Sequence, residues 1–247
     1  MDIRTANPAL NKNTFTNYGY SYNTNVMTIQ GTVNKTLIIL LFLMLGALWV
    51  WDMFYTNNPL FYPMMILGLI GGLVVAIVTI FKKEWSPFTA PVYGLLEGLV
   101  LGGISSVFEA MYPGIVIQAV ALTFGTLFAL LFAYKSRLIK ATENFKLGVA
   151  AATGAIFMIY LATIVLGMFG VGIPFIHESG LIGIGFSLFV VTIAALNLVL
   201  DFDFIESGAH SGAPKFMEWY AAFGLMVTLV WLYIEILRLL AKLRSRD

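Results

Sequence analysis

The chain has 247 residues, of which 60% are hydrophobic and only 11% charged, and its mean hydropathy is +0.89. A soluble domain carries about 25% charged residues, so 14 basic and 13 acidic side chains are too few to solvate a soluble surface of this size. Seven membrane spans of about 20 residues would fill roughly 57% of such a chain. Composition therefore excludes a soluble enzyme. A net charge of +1 gives no basic field for nucleic acid, and zero cysteines remove disulfides, thiolate catalysis and Cys-ligated metals.

Residues 1–35 are polar and Asn-rich, with no apolar run after Met1, and read as an N-terminal tail without a cleavable signal peptide. Apolar runs follow at 36–55, 60–81, 90–111, 115–134, 147–169, 180–200 and 217–240, with breaks at Asn57 to Pro59, Pro87 to Pro91, Tyr112 to Gly114, Gly170 to Glu178 and Gly208 to Pro214. No period-2 alternation appears, and each run is too long for a strand. In lipid the backbone must satisfy itself, which leaves helices. The fold predicted over 36–247 is one all-α domain, a polytopic seven-helix membrane bundle.

Around the turn between spans one and two, Trp49, Trp51, Phe54, Tyr55, Phe61 and Tyr62 form an interfacial aromatic belt. Span two carries Gly68 and Gly72. Span three carries Gly94, Gly98, Gly102, Ser106 and Ala110 at i+4 spacing, a stripe of small residues that lets another helix approach closely. Packing within the chain is the first reading of that stripe, and a dimer interface the second. Glu97 lies about 100° from the stripe and faces a different neighbour. Glu109 sits at the interfacial end.

An ionisable group inside a span costs a few kcal/mol unless paired or wetted. Span six ends with Asn197 and Asp201 one turn apart, followed by Asp203 and Glu206. In span seven Glu235 shares a face with Gly224, Thr228 and Trp231, and Arg238 stands three residues on. Two readings stay open. Arg238 can neutralise Glu235 in cis, or Asp201 and Glu235 can face each other and share a proton, as a pH switch or a hard-cation site.

Orientation follows from the basic residues. Arg4, Lys12, Lys35, Lys82, Lys83, Lys135, Arg137, Lys140, Lys146 and Lys215 fall on one side, while the opposite loops hold no Lys or Arg. The positive-inside rule makes that side, with the N-terminus, cytoplasmic. A seventh crossing, the favoured reading, then carries Lys242, Arg244 and Arg246 outward, against the rule; the alternative is a last helix that re-enters and returns. Catalytic signatures are lacking: no G-x-S-x-G, H-E-x-x-H or P-loop occurs. His177 and His210 are predicted in loops on opposite sides and make no joint metal site. No enzyme activity is expected.

Arg4 to Leu10 (RTANPAL), Met27 to Thr36 (MTIQGTVNKT) and the stretch from Gly212 (GAPKFMEWY) to Leu240 resemble the Bax inhibitor family, the transmembrane Bax-inhibitor-motif proteins and their bacterial relatives, over essentially the whole chain. The resemblance implies a seven-helix bundle with the last helix near its centre. It also implies an acidic pair between helices six and seven that senses pH and gates a calcium leak. Residue by residue, the pair falls on Asp201 and Glu235; Lys82 and Lys83 are only candidates for the family's basic latch partner, and Asp203 and Glu97 are secondary acids of the cation pathway read from this sequence. Two features depart from the pattern: the second acid is Glu rather than Asp, and Asp203 stands where the family usually has an amide. The connection between helices six and seven also looks long.

The function these readings imply is a pH-sensitive cation pathway in a bacterial inner membrane. Calcium or protons are its substrates, calcium meets Asp201 and Glu235, no cofactor is needed, and the lipid bilayer is the main partner. The alternative is a non-transporting regulator that binds a membrane protease or another membrane protein through the polar tail. A purely structural Glu235–Arg238 ion pair is the third reading.

Overall fold

A computed structural model describes residues 26–170 and 180–246. The tail over 1–25, the break over 171–179 and His177 lie outside the described residues. Among them run seven helices long and apolar enough to cross a membrane: α1 (Ile29–Tyr55), α2 (Phe61–Phe81), α3 (Ser86–Met111), α4 (Ile115–Lys135), α5 (Glu143–Met168), α6 (Leu181–His210) and α7 (Met217–Arg244). The all-α, multi-pass membrane architecture is as the apolar runs predict.

Helix ends differ where polar residues continue a helix beyond its apolar window. α1 starts at Ile29 rather than 36, because the Thr28 hydroxyl caps it by accepting from Gly31 N. α5 starts at Glu143 behind the same kind of cap from Thr142. Pro87 and Pro91 do not break the chain between spans, since Pro87 fits the first turn of α3, where its missing N–H costs nothing. Pro91 is carried one turn further in. α6 runs to His210, ten residues past the apolar run. It stops at Gly212, whose φ of 68° is left-handed. There Ala213 N donates to Gly208 O and Gly212 N to Ala209 O, a Schellman closure that requires glycine at this position. The link between α6 and α7 is thus only residues 211–216, not a long one, and His210 is helical rather than in a loop.

The described chain packs as two compact units, one of residues 26–113 and 203–227, the other of residues 114–170, 180–202 and 228–246. In the first unit the stripe on α3 receives α1. A Cβ at Gly98 or Gly102 would run into the Leu43 or Ala47 carbonyl, and one at Gly94 would stand 2.7 Å from the Ile39 carbonyl. Gly46 of α1 returns the fit against the Leu95 carbonyl, so the stripe serves packing within the chain. Gly68 of α2 meets α3 in the same way, 2.6 Å from the Leu96 carbonyl. Phe61 corrects the aromatic belt: it is buried with Val50, Met53 and Leu99, while Trp49 and Tyr62 are exposed.

In the second unit α4 buries only a narrow seam, Ile115, Ala119 and Thr123, and leaves the rest of its surface for lipid. Ile156, Val190 and Ile193 form a core there, with Tyr160, Phe186 and Trp231 packed on it. Of the seven spans, α7 is the most enclosed, with 61% of its apolar window buried against 11% for α5.

Candidate functional site

The site is built from α5, α6 and α7 within the second unit. Asp201 is 1% exposed, and neither of its carboxyl oxygens completes a hydrogen bond with a described residue. The Thr228 hydroxyl of α7 interacts with that carboxyl without reaching hydrogen-bond geometry. Asn197, one turn earlier on α6, is fully engaged elsewhere: its amide donates to Thr153 Oγ1 of α5 and to the Ile193 carbonyl, each at 2.8 Å. The amide that shares a face with Asp201 therefore ties α6 to α5.

Glu235 is equally buried but well supplied with donors. Tyr160 Oη of α5 donates to its Oε1 at 3.0 Å, and Arg238 Nη1 donates to the same oxygen at 3.1 Å. The guanidinium also lies over the Tyr160 ring, 5.8 Å from its centroid, so three side chains close on one another. The cis contact read from the i+3 spacing is present, and Arg238 keeps half of its side chain exposed. One turn further, Lys242 Nζ donates to Ser187 Oγ at 2.8 Å and to the Gly183 carbonyl at 3.1 Å.

The two acids thus stand in different surroundings. Asp201 and Glu235 do not hydrogen-bond each other, because the Asp201 oxygens bond to no described residue. Glu235 is held by two donors, the Tyr160 hydroxyl and the Arg238 guanidinium. Asp201 is a buried carboxyl whose oxygens complete no hydrogen bond with a described residue. Among the described residues no three His, Asp or Glu side chains gather as a metal cage.

The secondary acids belong to the first unit. Glu97 turns away from the α3 stripe, as its register predicts, and its Oε2 lies 3.4 Å from where a Cβ at Gly72 of α2 would stand. Asp203 is half-buried on α6. Lys83 lies 5.5 Å over the Tyr220 ring.

Sequence reasoning passed over Tyr160, Ser187 and Lys242. The only signal for Tyr160 was a hydroxyl inside an apolar run, and for Lys242 a terminal position that looked like a loop charge. It also passed over Glu218, which is fully buried at the start of α7 and accepts from Lys215 Nζ at 2.8 Å.

Neither a curated protein nor a solved structure matches the chain. The family model described as Bax inhibitor 1 like matches residues 7–245, nearly the whole length. With seven spanning helices already in place, that match settles membership: the chain belongs to the Bax inhibitor 1 like family of membrane proteins.

Proposed function

We propose that the protein is a pH-sensitive cation pathway, a calcium leak across a bacterial inner membrane, in which Asp201 and Glu235 form the gate. The observation that carries this reading is the Asp201 carboxyl, enclosed on α6 without a hydrogen-bond partner among the described residues. A natural membrane protein keeps such a group where protons or cations are handled, since a buried polar atom without a partner is otherwise costly. Glu235, held by Tyr160 and Arg238, is the second acid of the pair. Protonation of the acids changes the charge along α6 and α7, and that change is the gating event.

The reading places the N-terminus in the cytoplasm. It also takes one charge out of the conflict at the other end, because Lys242 makes internal contacts with Ser187 and Gly183, while Arg244 and Arg246 still run against the rule. The test is calcium flux into liposomes from pH 5 to 8 with wild type and Glu235→Gln. Flux that varies with pH in the wild type and loses that variation in the variant supports the gate. If there is no flux, or if the substitution leaves its pH profile unchanged, the reading fails and a non-transporting, partner-binding regulator takes its place.

A further inference from the structure

A second buried carboxylate lies in the first unit, away from any role given to Asp201 or Glu235. Glu218 is fully buried in the first turn of α7, and one of its oxygens does all the bonding. Oε1 accepts from Thr28 N at 3.0 Å, from Thr28 Oγ1 at 2.8 Å and from Lys215 Nζ at 2.8 Å. Oε2 has no partner among the described residues. The Thr28 hydroxyl simultaneously accepts from Gly31 N, so the N-cap of α1 and the Glu218 contact share one oxygen. Next to it the chain is stitched by an antiparallel bridge between Val26 and Pro214 and by Met27 N donating to Ala213 O at 2.7 Å.

Three details mark this contact as one that opens. Its donors stand at the surface: Thr28 is exposed and Lys215 half-exposed, so water replaces each of them as soon as the segment lifts. Its acceptor keeps one oxygen buried and unbonded, which is unfavourable while the contact is closed and is relieved once it is wet. Its fit depends on Gly31, where any Cβ would overlap the Glu218 carboxylate. Local units with exposed hydrogen bonds and a built-in cost are those that open first in a folded protein.

We propose that Glu218 is an openable clasp, which docks the start of α1 on the link between α6 and α7 and releases it as a local unit while the helices stay packed. Opening uncovers Met27, which is 2% exposed when the clasp is closed.

The chain has no cysteine, so a single Met27→Cys reports the opening by its maleimide labelling rate in the detergent-solubilised full-length protein. Thr79→Cys, fully buried on α2 and outside the clasp, reports general loosening. Met27→Cys labels roughly tenfold or more faster than Thr79→Cys if the clasp opens locally. Adding Gly31→Ala, which props the clasp open without altering charge, raises the Met27→Cys rate again and leaves Thr79→Cys unchanged. Glu218→Gln, which removes the Lys215 ion pair, shifts it the same way. The proposal is overturned if Met27→Cys labels as slowly as Thr79→Cys, if Gly31→Ala accelerates both sites alike, or if neither substitution changes the rate.

Discussion

Glu235 receives two donors on one oxygen, and they are not equivalent. Tyr160 reaches it from α5 inside the unit, whereas Arg238 is half-exposed on the same helix. A hydrogen bond to a charged group contributes about 1.5–3 kcal/mol, and Tyr160→Phe is expected to cost that much, read as a lower thermal midpoint in detergent. Water replaces a half-exposed guanidinium, so Arg238→Met is expected to cost less, below about 1 kcal/mol. Asp201 behaves in the opposite way. With only the Thr228 hydroxyl beside it, and that outside hydrogen-bond geometry, Asp201→Asn leaves the thermal midpoint unchanged or raises it, and a fall would show that the carboxylate is structurally paired. The residue types of this site were legible in the sequence, since acids inside apolar runs stand out. Their partners were not: Tyr160 lies 75 residues from Glu235, and no local spacing announces that contact.

At the scale of the helix, apolar runs locate the spans because hydropathy sees the hydrocarbon layer. They miss helix ends because caps act outside it. Thr28, Thr142 and Gly212 set three of those ends through single hydrogen bonds or one left-handed residue. Register was more legible. The i+4 stripe on α3 meets α1, and Glu97, 100° away on the wheel, faces α2 instead. The stripe yields a contrast between two glycines. Gly98→Val drives a side chain into the Leu43 carbonyl and is expected to cost about 3 kcal/mol or more. Gly154 of α5 has open space around it, so Gly154→Ala is expected to gain about 0.5–1 kcal/mol from helix propensity. Thermal midpoints of the two variants, measured side by side, check both signs.

For the molecule as a whole, if each of the seven helices that are long and apolar enough to cross does so, Lys82 and Arg246 lie on opposite faces of the membrane. Cysteines replacing Lys82 and Arg246 are therefore expected to react with an impermeant maleimide from opposite sides of a sealed vesicle, and labelling from one side would remove a crossing. Charge counting alone left that end contradictory, because it treats every lysine and arginine as a loop charge. Lys242 is bonded to Ser187 and Gly183 and so is held within the helices, which leaves Arg244 and Arg246 as the charges against the rule. The central claim is that Asp201 and Glu235 act as one gate although they share no hydrogen bond. A double-mutant cycle on calcium flux from pH 5 to 8 tests it, with Asp201→Asn, Glu235→Gln and the double variant in liposomes. A single gate predicts that each substitution abolishes the pH response and that the second adds nothing to the first. Effects that add as two independent contributions, or a pH response that survives in the double variant, would contradict it.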